Sequence, residues 1–114
     1  MDPIVKREPV DLEARGITLL DGEARNAAHP DTFEIPPLGI RHTCAPGDHV
    51  KLGFQIEHDG PNARGERMWV KVIDLDRANR RYLGILDQDP VIVRLVDGDF
   101  IAFEPKHILA TLER

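Results

Sequence analysis

The side chains with chemical potential here are clustered carboxylates, five histidines, one cysteine and several arginines near the only tryptophan. Asp74, Asp76, Asp87, Asp89, Asp97 and Asp99 fall within one stretch. Paired carboxylates can do acid–base work. These six sit where turns are expected, and aspartate is favoured there because its side chain bonds to nearby backbone. Calcium at Asp87-Gln88-Asp89 or Asp97-Gly98-Asp99 is conceivable, but neither segment has the ligand spacing of an EF-hand loop. His29, His42, His49, His58 and His107 lack the helical or cysteine-linked spacing of a metal site. No metal or cofactor is therefore expected. Cys44 has only His42 as a nearby base, so a reduced cysteine in a loop is the better reading than a nucleophile. The chain contains no serine, which excludes a serine nucleophile. Its glycines fall singly in turns and form no phosphate-cradling loop.

Five residues form the candidate binding set: Glu66, Arg67, Trp69, Lys71 and Asp89. Trp69 and Lys71 share the face of a strand opposite Met68 and Val70. If Met68 and Val70 face the core, Trp69 is either partly exposed or covered by the N-terminal segment; burial there is expected. An exposed aromatic would be an interaction candidate. Glu66, Trp69 and Asp89 could converge on a pocket, and a small-ligand binder or enzyme would need them to. Arg77, Arg80 and Arg81 make a basic hairpin tip that could meet an acidic partner or a phosphate, although such tips are more often simply solvated.

These residues are carried by short strands. In His49-Val50-Lys51-Leu52-Gly53-Phe54-Gln55-Ile56-Glu57 the apolar residues recur at period two, which marks a strand with one wet face. The Gly65–Leu75 run comes after a turn-rich loop around Asp59-Gly60-Pro61-Asn62. Asp76–Arg80 reads as a hairpin connection to Arg81–Leu86. Asp87-Gln88-Asp89-Pro90 breaks that strand. Val91-Ile92-Val93 is a short apolar run, and Phe100–Phe103 is another strand. Thr32-Phe33-Glu34-Ile35 also alternates, then stops at Pro36-Pro37. Ile17–Leu20 reads as a short strand. Asp21 is placed to cap a helical turn that must end near His29-Pro30. Pro105 can open a final helical turn. Gly47-Asp48 and Gly98-Asp99 each feed a strand, which shared turn chemistry explains better than duplication. The expected fold is α+β but mainly β: a small antiparallel sheet or partly open SH3-like barrel with short helical turns. Residues 1–26 form an N-terminal arm and residues 27–114 one small domain.

At 114 residues the chain suits one domain, burying roughly two-thirds of its unfolded surface without disulfides or metals. A single cysteine allows no intrachain disulfide. The net charge of -5 opposes general nucleic-acid binding and attraction to anionic membranes. Charged residues near Met1 and the lack of a long apolar window point to a cytoplasmic protein.

Pro46-Gly47-Asp48-His49-Val50-Lys51-Leu52-Gly53-Phe54, Gly65-Glu66-Arg67-Met68-Trp69-Val70-Lys71-Val72 and Gly84-Ile85-Leu86-Asp87-Gln88-Asp89-Pro90 together resemble the YegJ-like bacterial domain of unknown function. So do Gly98-Asp99, Phe103, His107-Ile108 and the upstream Ala28–Pro36 segment. The resemblance spans roughly residues 27–109. Gln88 departs from it, where asparagine is the family's residue, and so does the longer arginine-rich hairpin. The resemblance implies no established activity. Related domains occur among bacterial immunity proteins, which implies a protein partner by analogy. Three functions rank in this order: a non-catalytic protein-binding module, a small-ligand binder or enzyme around Glu66, Trp69 and Asp89, and a nucleic-acid-binding barrel using Lys71, Arg77, Arg80 and Arg81.

Overall fold

The structure, a computed structural model, describes residues 8–56 and 64–112. The turn proposed at Asp59–Asn62 and the histidine at 58 lie outside the described residues. Six strands form one antiparallel sheet: β1 Ile17–Leu19, β2 His49–Ile56, β3 Arg64–Asp76, β4 Arg81–Leu86, β5 Phe100–Phe103 and β6 Ala110–Thr111. Their order is β1-β2-β3-β4-β5, with β6 pairing β2 beside β1. The sheet curls into a half-barrel, so the protein is mainly β, as the alternation implies.

The period-two pattern of β2 sends Val50, Leu52 and Phe54 inward, where all three are fully buried. Register sets Val50 opposite Val70 and Leu52 opposite Met68. Val72, Tyr82, Leu86, Ile101, Phe103 and Ile108 belong to the same core, with Ile17, Cys44, Val93 and Leu95. Each such aliphatic or aromatic side chain contributes roughly 1.5–3 kcal/mol on burial.

Two features curl the sheet. The register of β3 against β4 jumps between Val72↔Gly84 and Asp74↔Leu83, so Ile73 is an extra residue. A bulge bends its strand and reverses the inward–outward parity of the residues beyond it. Leu75, which strict alternation would put outside, therefore turns inward opposite Tyr82 and packs on the core. Gly84 allows the close approach: a Cβ there would lie 2.4 Å from Val70 Cγ1.

The two Gly-Asp turns are the same device. Gly47 and Gly98 have φ of 99° and 94°, values that favour glycine. Asp48 Oδ2 accepts the Ala45 N–H at 2.9 Å, and Asp99 Oδ2 accepts the Val96 N–H at 2.9 Å. The Gly47 N–H donates to Val72 O and the Gly98 N–H to Leu86 O, both at 2.8 Å. Each turn thus docks on the edge of a neighbouring strand, which shared turn chemistry explains.

The N-terminal segment joins both sides of the half-barrel. The Val10 N–H donates to Phe100 O in β5 at 2.9 Å, and Ile17 starts β1 beside β2. Residues 10–17, including a 3-10 turn at Glu13–Arg15, therefore cross the open side, with Val10 and Leu12 on the core. Helix α1, Gly22–Ala28, is capped by Asp21, whose carboxylate accepts the Ala24 N–H at 2.9 Å. It ends before Pro30, because a residue preceding proline is pushed out of the helical region.

Some expectations differ. Thr32–Ile35 alternates but forms no strand. Phe33 O is taken by Asn26 Nδ2 at 2.8 Å, Ile35 packs toward Gly22, and the two prolines after Ile35 have no N–H to offer a ladder. The next residues form a short helix, α2 (Leu38–Arg41). The turn at Pro105 is a 3-10 turn, Pro105–His107, and the chain beyond it becomes β6.

Candidate functional site

Glu66 and Trp69 are three positions apart on β3 and so face opposite sides of the sheet. Glu66 lies on the inner side, opposite Phe54 in register. Its carboxylate accepts three consecutive backbone N–H groups: Val91 at 2.8 Å, Ile92 at 2.6 Å and Val93 at 2.8 Å. Successive N–H groups make a natural anion cradle. Burial raises the Glu66 pKa, but the bonds from Val91, Val93 and Ile92 outweigh it and hold the group below the usual carboxylate range. Glu66 thus holds a loop on the inner side, while Trp69 lies on the outer side of the sheet.

That loop is the segment 87–98. Val93 and Leu95 are buried in the core, whereas Val91, Ile92 and Val96 are 90%, 37% and 65% exposed. At its start the Asp87 N–H donates to Trp69 O at 3.0 Å, and Gln88 Oε1 accepts the Trp69 N–H at 3.1 Å. His49 Nε2 meets Asp87 Oδ2 at 2.9 Å. Clamped at both ends and in the middle, the loop presents three apolar side chains from a fixed backbone. Asp89, in the same loop, is exposed.

Trp69 is half-buried on the outer face, not sealed beneath the N-terminal arm as expected. The arm's Leu20, together with Leu109, packs farther along β2, over Gly53. Trp69 is covered instead by its register partner: Lys51 Nζ stands 4.6 Å above the ring. Arg67 is exposed, with its guanidinium 5.4 Å from the Phe33 ring centroid. Lys71 is exposed between His49 and Ile85 of the flanking strands.

A second feature lies at the other end of β3. An open cleft of about 950 Å³ separates the β3–β4 hairpin from the α2 loop and the Pro105–His107 turn. Leu38, Leu75 and Tyr82 form its apolar part; Arg77, Arg80 and Lys106 stand on its walls. The arginine tip expected from sequence is one wall of this cleft. The bulge hides Leu75 from a local reading, and the facing wall comes from residues distant in sequence.

Behind the cleft the framework is fully bonded. Tyr82 Oη donates to Arg41 O at 2.8 Å and accepts the Cys44 N–H at 3.2 Å. Arg41, almost fully buried, pairs with Glu23 and donates to Pro36 O at 2.8 Å. No local signal in the sequence marks Arg41 as buried. Burial pushes the Cys44 thiol up, with a smaller opposing effect from Tyr82, the reverse of what activates a nucleophile. Burial likewise raises the Tyr82 hydroxyl.

The arrangement defines a half-barrel domain with an apolar loop at one end and a basic cleft at the other. Among the described residues no group of three or more His, Cys, Asp or Glu is placed to hold a metal ion. No described helix is long and apolar enough to cross a membrane. Compared with protein-family models, curated proteins and solved structures, the chain matches none.

Proposed function

We propose that this chain is a non-catalytic protein-binding module whose contact surface is the loop at 87–98. One observation carries the reading: Val91, Ile92 and Val96 are exposed on a loop whose backbone Glu66 holds at Val91–Val93 through three hydrogen bonds and Asp99 holds at Val96. Exposed apolar groups are common singly, but three within six residues on a rigid support resemble the apolar centre of an interface. A preorganised loop also loses less entropy on binding than a mobile one. Asp89 and Asp97 flank the apolar residues and are exposed, which suits a partner with an apolar pocket and a basic rim. The resemblance to the YegJ-like domain, with its immunity-protein relatives, supports the same class by analogy.

The test is a comparison of the chain with its Val91→Asp, Val96→Asp double variant as baits in the native host. Both positions are exposed, so the melting temperature should hold. A stoichiometric protein partner recovered by the first and lost by the second supports the reading. Recovery by both, or by neither, overturns it.

A further inference from the structure

We propose that the cleft between the β3–β4 hairpin and the Pro105–His107 turn binds a small organic anion: a carboxylate or phosphate group carried on an apolar body.

Charge carries the first part of the argument. Among the acids that line the cleft, Glu23 is paired with Arg41, and Asp76 with Arg81 at 2.8 Å. That leaves Glu104 against Arg77, Arg80 and Lys106, in a chain whose net charge is -5. Among the described residues, no hydrogen bond or ion pair engages the side chains of Arg77, Arg80 or Lys106. A positive concavity on an acidic protein concentrates anions locally.

The hairpin tip is also held ready. Asp76 accepts the Asn79 N–H at 3.3 Å, Asn79 Nδ2 at 2.9 Å and Arg81 Nε at 2.8 Å. This fixes the turn Arg77–Arg80 that carries the two arginines. Arg80 has φ of 53° and is the one non-glycine residue with positive φ among those described. A left-handed position favours glycine, and an arginine there stores backbone strain. Strain of this kind points to a use for the side chain.

The apolar part gives the ligand its second half. Leu75 is turned into the cleft by the bulge at Ile73, and Tyr82 is locked by bonds to Arg41 and Cys44. Leu38 remains 60% exposed at the rim. A volume of about 950 Å³ lies within the range of small-molecule sites. Guanidinium groups match carboxylate and phosphate geometry better than a point charge does.

The experiment is a titration followed by backbone amide chemical shifts. The probes are benzoate, phenyl phosphate, and benzyl alcohol as the neutral control. Benzoate or phenyl phosphate should shift Ala45, Arg77–Arg81 and Lys106 saturably, and the tighter of the two identifies the head group. Arg80→Gly and Arg77→Gln should each weaken that binding about tenfold. Arg80→Gly should melt at or above the unmodified chain, so its loss cannot be unfolding. Equal binding of benzyl alcohol, undiminished binding by both variants, or no saturable shift with either anion overturns the proposal. None of these outcomes bears on the loop at 87–98, at the far end of β3.

Discussion

Glu66 Oε2 accepts the backbone N–H of Ile92 at 2.6 Å, tying the inner face of β3 to a loop 26 residues later. The same carboxylate takes Val91 and Val93. A residue of the candidate binding set thus anchors a loop. Glu66→Gln replaces a charged acceptor pair by one oxygen and an amide that repels N–H groups. The expected cost is about 1–3 kcal/mol, measured by urea unfolding at pH 7, with faster hydrogen exchange at Val91–Val93. The lowered pKa of Glu66 sets the pH dependence. Its stabilisation is complete above the unfolded value, about pH 4.3, and is lost as pH falls through the lower folded value. The gap between the unmodified chain and Glu66→Gln should therefore shrink in acid. A gap that is constant from pH 7 to pH 3 would refute the assignment.

His107 should respond in the same direction at a higher pH. Burial depresses its pKa, partly offset by Glu104, Asp21 and Glu23. Its Nδ1 accepts the Glu104 N–H at 3.0 Å, which requires that nitrogen to be unprotonated. The contribution is full above about pH 6.5 and declines as pH falls through the depressed folded value. His107→Asn, which keeps an acceptor but cannot titrate, should flatten the stability curve between pH 7 and pH 5.

Two glycines should respond oppositely to alanine. At Gly84 a Cβ would meet Val70 Cγ1 at 2.4 Å and Lys71 O at 2.9 Å. Gly84→Ala is expected to destabilise by about 3 kcal/mol through overpacking. At Gly39, in α2, nothing lies within 4 Å of the added carbon. Gly39→Ala should be neutral or gain about 0.5–1 kcal/mol from helix propensity. Thermal unfolding of the pair checks both signs.

Trp69 is the only tryptophan, so its fluorescence reports the outer face alone. Lys51→Met should cost about 0.5–1 kcal/mol, the usual scale of a partly exposed cation–π contact. It should also alter the emission and acrylamide quenching of Trp69. Unchanged emission would mean that the ammonium does not sit on the ring in solution.

Several elements are legible from local pattern because local physics sets them. Val50, Leu52 and Phe54 alternate with polar neighbours, and a strand must send them to one side. Asp21 caps α1 and Pro30 stops its extension, both within a few residues. Gly47 and Gly98 mark turns by conformational need. Other features depend on distant partners. Thr32–Ile35 alternates yet finds no ladder. The bulge at Ile73 appears only when β3 is laid against β4, and it alone moves Leu75 to the inner face.

Periodicity, turn chemistry and composition act over a few residues. They suffice for a small, mainly β domain, the inward face of β2, the main turns, and an arginine-rich hairpin tip. What the candidate residues do rests on tertiary contacts. Those contacts engage Glu66 with the backbone of Val91–Val93, leave Trp69 half-covered by Lys51, and set Lys106 across from Arg77 and Arg80. Each joins segments far apart in sequence. Register, bulge and curl bring those segments together, and no short pattern encodes them.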